Sequence, residues 1–204
     1  MNLGQRFARL ATDVSVRRPR LWRLFRPFIR RSFDRMAPVW AEMRSADAFR
    51  PLEEALAGLP EPPRRALDLG TGAGHAAFLI AERFPESEVI GADLAPGMLA
   101  QARGALPAHL QDRVRFELAD ASALSFDDGA FDLVVLANMI PFFDELERVT
   151  APGGAIVFSF SAGAETPIYV PTERLRAQLE RRRFTDFAEF SAGRGTALLA
   201  RKHT

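Results

Sequence analysis

The run Ala66-Leu67-Asp68-Leu69-Gly70-Thr71-Gly72-Ala73-Gly74 constrains the fold of this chain more than any other segment. A short apolar stretch that ends in closely spaced glycines and opens into a helical pattern reads as strand, tight turn and helix, the unit of parallel α/β sheets. Glycine lets the backbone turn sharply and approach a ligand without interference from a Cβ. Ligands of open α/β sheets sit at this carboxyl edge of the strands. By itself the loop is equally compatible with a plain structural turn.

The rest of the chain repeats the alternation. Further strands are expected at 89–92, 114–118, 131–137, 155–160, 184–190 and 196–200, and helices at 73–84, 96–105, 142–149 and 172–182. The continuous apolar run Phe131 to Ala137 is of the kind buried on both faces. Pro96 marks a helix start, Pro152-Gly153-Gly154 a turn, and Thr172 an N-cap. Residues 1–58 lack the glycine–strand punctuation and read as a helical N-terminal extension. Pro60, Pro62 and Pro63 form a joint to an α/β domain over 64–204, because proline stops a helix and favours extended chain before it.

The 204 residues, 48% of them apolar, suit one α/β domain with an appendage. The chain has no cysteine, which excludes disulfides, thiolate metal sites and a cysteine nucleophile together. No stretch approaches the ~18 uninterrupted apolar residues of a membrane span. Met1 to Leu10 carries Arg6 and Arg9 without the apolar run of a secretory signal. These features lead us to expect a cytoplasmic protein.

Spacing narrows the ligand. A dinucleotide loop follows G-x-G-x-x-G, with the helix N-terminus facing a pyrophosphate. Here the pattern is G-x-G-x-G, and His75 stands where the third dinucleotide glycine belongs. No Gly-Lys-Ser/Thr follows, so the loop is not a P-loop. Asp93 ends the second strand, where an acid accepts hydrogen bonds from ribose hydroxyls, and Asp120 follows the third. Two carboxylates beside the loop would repel a pyrophosphate. They describe a pocket for a neutral or cationic nucleoside, hence a sulfonium cofactor.

Across roughly residues 33 to 202 the chain resembles the class I S-adenosylmethionine-dependent methyltransferases. Ala66 to Gly74 is similar to the family's first motif, Ala92-Asp93-Leu94-Ala95-Pro96-Gly97-Met98-Leu99 to its ribose segment, and Ala119-Asp120-Ala121 to its adenine segment. Leu124 to Val134 resembles the approach to the fourth strand, and Val149 to Gly154 the turn before the fifth. The resemblance implies a Rossmann-like, seven-stranded, mostly parallel sheet with an antiparallel last strand, flanked by helices. It implies S-adenosylmethionine as cofactor, held by Asp68, Gly70, Thr71, Gly72, Gly74, Asp93, Leu94, Met98, Asp120, Ala121 and Asn138. Asp120 would meet the exocyclic amine of adenine, and the amide of Ala121 a ring nitrogen. Phe33 to Trp40 is similar to a segment of the small-molecule and quinone methyltransferases in which an aromatic ring covers the cofactor. Trp40 would then lie over the sulfonium, a favourable cation–π arrangement, or simply pack its helix on the domain.

Methyl transfer from a sulfonium relies on alignment and exclusion of water more than on acid–base help. No catalytic residue is therefore assigned. Asn138, in the loop after the fourth strand, and His75, at the head of the first covering helix, are the candidates for contact with the reacting groups. The loop Asn138-Met139-Ile140-Pro141 has two residues between Asn138 and Pro141, unlike the Asn-Pro-Pro-aromatic motif of amino-group methyltransferases. No metal is expected, because Leu136-Ala137-Asn138 offers no carboxylate where the catechol-type enzymes carry one.

Charge is distributed unevenly. Residues 1–35 hold ten arginines against Asp13 and Asp34, a net of +8 in a chain whose total is +1. Between Val16 and Arg35 the apolar residues Leu21, Trp22, Leu24, Phe25, Phe28 and Ile29 recur at roughly helical spacing, with Pro27 expected to kink or interrupt the helix. Three roles fit this arm: a lid over the pocket, a basic amphipathic helix on an anionic membrane surface, or a contact for RNA phosphates. The expected activity is methyl transfer to a small, apolar or amphipathic acceptor, with contact at a membrane surface through residues 16–35 as a possible addition. The alternatives are an RNA methyltransferase that uses the arginine arm and a cofactor-binding protein without turnover.

Overall fold

A computed structural model of the chain describes residues 3–40 and 46–204. Strands β1 (Arg65–Leu69), β2 (Glu88–Asp93), β3 (Val114–Leu118), β4 (Phe131–Ala137), β5 (Thr150–Phe160), β6 (Phe184–Ala192) and β7 (Gly195–Lys202) form one sheet. Their spatial order is β3-β2-β1-β4-β5-β7-β6. Only β7 runs antiparallel, to both β5 and β6. This is the expected seven-stranded sheet. The chain builds outward from β1 to β3, then returns to the other side of β1, so the order reverses between β1 and β4. Crossovers leave that point in opposite directions and open a crevice at the carboxyl ends of the strands.

Side chains alternate between the sheet's two faces, as the period of a strand requires. Leu133, Val135, Ala155, Val157, Ala197 and Leu199 belong to one apolar cluster. There they meet Leu52 and Leu56 of α3 (Arg50–Ala57), Ile80 of α4 (His75–Arg83) and Leu99 of α5 (Pro96–Ala105). Val134, Leu136, Ile156, Phe158, Leu198 and Ala200 belong to the other cluster. It includes Leu146 of α6 (Phe143–Val149) and Leu175 and Leu179 of α7 (Thr172–Glu180). The remaining helices, α1 (Leu3–Arg17) and α2 (Trp22–Trp40), precede the sheet in sequence. Trp22 enters the second cluster, so the arm closes part of that face.

Four local readings are corrected. The helix after the glycine loop begins at His75 rather than Ala73, because Gly72 and Gly74 have φ of +54° and +89°, outside the helical region. Thr172 is the first helical residue of α7 and not its cap. The carbonyl of Pro171 accepts the first helical bonds from Arg174 and Leu175 at 2.9 and 3.0 Å, which makes Pro171 the capping position. β5 starts at Thr150 rather than Ala155, since Thr150 already pairs with Phe131 before a register shift carries the ladder on to Leu133 and Ala155. Helix α2 runs unbroken through Pro27, which lies on its exposed side, where water can reach the carbonyl that proline leaves unbonded. The interruption falls at Pro19 instead, in a 3-10 turn, Pro19–Leu21, between α1 and α2.

Phe158 is fully buried near the carboxyl end of β5, with the ring of Phe143 of α6 tilted against it at 6.2 Å. Phe158→Ala is expected to lower unfolding free energy by about 3–5 kcal/mol in a urea titration. A loss below about 1 kcal/mol would mean that this face is not packed as described.

Candidate functional site

The site is assembled where β1, β2, β3 and β4 end. β1 and β2 are parallel neighbours with Leu69 opposite Ala92, so the glycine loop after β1 and the turn after β2 emerge side by side. The amides of Gly70 and Thr71 both donate to the carbonyl of Ala92, at 2.8 and 3.0 Å. The hydroxyl of buried Thr71 donates to Asp68 Oδ2 at 2.6 Å, locking the start of the turn from beneath. Gly70 has φ of +77°, and a Cβ there would lie 2.7 Å from Met139 Sδ. The loop is thus closed to side chains and offers bare backbone at the sheet edge.

Asp93 clamps this arrangement. Its Oδ2 accepts from the Gly72 amide and its Oδ1 from the Ala95 amide, both at 2.9 Å. Burial pushes its carboxyl above the ordinary aspartate value, against the Ala95, Gly72 and Leu94 amides, which favour the charged form; the charge of nearby Asp34 adds to the rise. Asp34 belongs to α2, and its Oδ1 accepts from the Gly97 amide at 2.9 Å. It therefore satisfies an unpaired donor at the N-terminus of α5. Ala37 of α2 packs with Ala95 and Met98 beside it, and Phe33 borders the group.

Asp120 lies just past β3. Its Oδ1 accepts from Trp22 Nε1 at 2.9 Å, from the Ser122 amide at 3.0 Å and from the Ser122 hydroxyl at 2.8 Å. Its Oδ2 pairs with Arg26 Nη1 at 2.7 Å. Burial works to raise this carboxyl, but Arg26, Ser122 and Trp22 together outweigh it and hold it below the ordinary aspartate value. The sign is opposite to that of Asp93. Stability from the Asp120 contacts is present above the unfolded pKa and is lost as pH falls through the lowered folded one. Burial of Asp93 instead penalises its charge, a penalty relieved as pH falls through its raised value.

The remaining candidates fall into place around this pair. Leu94 is partly buried against the second cluster, and Ala121 is a buried member of it. Asn138 ends β4 in the left-handed region, with φ of +54°, a conformation asparagine tolerates better than most residues. Its Oδ1 accepts from the amide and hydroxyl of Ser161, at 3.0 and 3.2 Å, and ties the ends of β4 and β5 together. His75 stacks on Phe49 at 5.8 Å and lies 6.5 Å from Phe78. Those rings border the α3–α4 face, whereas Trp22 and Asp120 meet on the other. The structure therefore does not bring His75 together with Asp120. The side chain of Trp40 lies outside the described residues. The positions that sequence reasoning did not single out are Trp22, Arg26, Asp34 and Met139. The signal available for the first two was their four-residue spacing, which puts both on one side of a helix.

These residues fit the adenosyl group that the resemblance implies. The acceptor set suits it: carboxylates at the ends of neighbouring strands are of the type that would accept from ribose hydroxyls and an exocyclic amine. At Asp120, however, the chain's own Trp22 and Arg26 hold the acceptor positions.

Residues 66–154 match a family model described as a methyltransferase domain. The chain is 49% identical over 106 residues to demethylmenaquinone methyltransferase of Thermus thermophilus, covering 48% of each protein. It is 38% identical over 128 residues to trans-aconitate 2-methyltransferase of Methylobacterium radiotolerans, covering 59% of this chain and 47% of that protein. It spans about half the length of the curated relatives it matches. A solved S-adenosylmethionine-dependent methyltransferase from Aquifex aeolicus shares the fold, with a TM-score of 0.61 at 19% identity, covering 76% of this chain and 90% of that one. Sheet order, glycine loop, strand-end acids and these relatives agree, and the chain carries a class I S-adenosylmethionine-dependent methyltransferase domain.

Proposed function

We propose that the protein transfers the methyl group of S-adenosylmethionine to a small, apolar or amphipathic acceptor. The observation that carries this reading is the placement of Asp93 and Asp120 at neighbouring strand ends, with the glycine loop clamped to Asp93. Asp93 would take the ribose hydroxyls, Asp120 the adenine amine and the Ala121 amide a ring nitrogen. Gly70, Gly72 and Gly74 would let the backbone approach the amino-acid end. When bound, the cofactor supplies an electrophilic methyl carried on a sulfonium. The chain's part is to align the acceptor and exclude water. Aromatic and aliphatic side chains at and beyond the carboxyl ends of β4 and β5, among them Ile140, Phe142, Phe160, Tyr169 and Val170, gather on the Trp22 face and suit an apolar acceptor. Relatives named for demethylmenaquinone and trans-aconitate support an acceptor of small size.

Titration calorimetry with S-adenosylhomocysteine tests the cofactor half of this reading. Binding by the wild type is expected, weakened about 10- to 100-fold by Asp93→Ala, the effect of losing hydrogen bonds to a charged acceptor. Thermal melts of both proteins separate a lost ligand contact from a loosened loop. No binding by the wild type up to millimolar ligand would overturn the assignment.

The outward side of α2 supports a second element, contact with an anionic membrane surface. Leu24 and Phe28 are 74% and 52% exposed, and Arg31 and Arg35 continue their face at helical spacing, with exposed Arg20 and Arg23 nearby. From Val14 to Phe33 no acidic residue interrupts this charge. Apolar side chains set among arginines are what an interfacial helix presents to anionic lipid, with each cation near the surface contributing about 1 kcal/mol. No helix among the described residues is long and apolar enough to cross a membrane, so the contact would lie on the surface. The protein is expected to co-sediment with phosphatidylserine-rich vesicles and not with phosphatidylcholine ones, and Leu24→Ser with Phe28→Ser should abolish this. Equal recovery with both lipids, or salt-sensitive retention on RNA instead, would overturn it.

A further inference from the structure

Both oxygens of Asp120 are engaged by the chain itself. Each carboxylate oxygen offers about two lone-pair positions; Oδ1 accepts three hydrogen bonds, one from Trp22 and two from Ser122, and Oδ2 accepts one, from Arg26. The Ser122 bonds are local to the turn. Those from Trp22 and Arg26 cross from α2, 98 and 94 residues away in sequence. An amine arriving at Oδ1 must displace Trp22, and one arriving at Oδ2 must displace Arg26 or share that oxygen with it.

We propose that the Trp22 indole and the Arg26 guanidinium are displaceable internal stand-ins for the nucleoside base at Asp120, so that the cofactor site is self-occluded and ligand binding unlatches the start of α2. This rests on the reading of Asp120 as the acid of the adenine end.

The chemistry of Trp22 suits the role. Indole is a flat, fused two-ring heteroaromatic with an N–H donor on its edge, the features that adenine presents through its amine. Its ring is 3% exposed, meets Phe142 edge-on at 5.2 Å, and belongs to the same apolar cluster as Ala121 and Leu124. An apolar slot closed by one acceptor is what a purine base requires.

The backbone suits it as well. Trp22 is the first residue of α2 and follows the 3-10 turn at Pro19–Leu21, so it can swing out while most of the helix persists. The other end of α2 has its own anchors, Asp34 on the Gly97 amide and Ala37 against Met98. Arg26 is half exposed, and such a pair is weakly held. The Arg26 half of the latch is therefore of a strength that a ligand can overcome.

The test uses the full chain with Trp22→Phe and Arg26→Met combined, which keeps a ring in the slot and removes both donors to Asp120. In calorimetry, S-adenosylhomocysteine is expected to bind this variant about tenfold or more tightly than wild type, the equivalent of one charge-assisted hydrogen bond no longer broken on entry. In parallel, saturating ligand should speed trypsin cleavage of the wild type at the exposed arginines Arg17 to Arg23. Unchanged affinity with unchanged cleavage overturns the latch and leaves the cofactor assignment standing. Weaker binding by the variant overturns it in favour of Trp22 and Arg26 as parts of the completed pocket. Absence of binding by both proteins overturns the cofactor assignment itself, and the latch with it.

Discussion

The site depends on one side chain bonded to two turns. Asp93 accepts from Gly72 in the loop after β1 and from Ala95 in the turn after β2, and so fixes both to the carboxyl edge of the sheet. The clamp is possible because parallel pairing brings Leu69 level with Ala92, and because glycines in the left-handed region allow the Gly72 amide to point at the carboxylate. A buried carboxylate is costly unless hydrogen-bonded, and the two amides offset part of that cost before any ligand arrives. The same acceptors keep further lone pairs for hydroxyl donors. The clamp is thus a structural part that can double as a binding part.

The elements of the sheet were legible because their burial leaves a pattern in the residues. Phe131 to Ala137 is read to the residue as an apolar run of the kind covered on both faces, and Val114 to Leu118, at the sheet edge, by alternation of apolar and charged residues. The acids were legible for a similar reason: a polar residue at the end of an apolar run stands at the sheet edge, where chemistry can reach it. The errors are of another kind. The start of α4 is decided by φ at Gly72 and Gly74, and the cap of α7 by which carbonyl takes the first helical bonds, not by the residue types nearby. The partners of Asp120 were not legible at all. Trp22 and Arg26 reach it from nearly a hundred residues upstream, and a local pattern holds no record of so distant a contact.

The arginine arm shows most clearly what the three-dimensional arrangement adds. Its expected roles at a pocket and at an anionic surface compete in the sequence, because they draw on one segment. In the folded chain the residues each role would use lie on different sides of one helix. Trp22, Phe33 and Ala37 face the domain, and Arg26 reaches in beside them to Asp120. Leu24, Phe28, Arg31 and Arg35 are exposed. The charge count divides in part the same way: Arg9 donates to the carbonyls of Ala164 and Thr166 and Arg26 pairs with Asp120, so those two are engaged by the domain, while Arg30 pairs along its own helix with Asp34.

That division has a mechanical consequence. A helix carries force between its faces because its backbone hydrogen bonds make it rigid over several turns. The exposed residues Leu24 and Phe28 alternate along α2 with Trp22 and Arg26, so a partner on the outer face acts within one turn of both groups that hold Asp120. Coupling requires that the partner prefer one position of α2 over the other, since a ligand indifferent to the two states shifts neither. A flat surface meets that condition if docking Leu24 and Phe28 tilts the start of the helix away from β3. The anchor of Asp34 on Gly97 at the far end of α2 would then serve as the pivot.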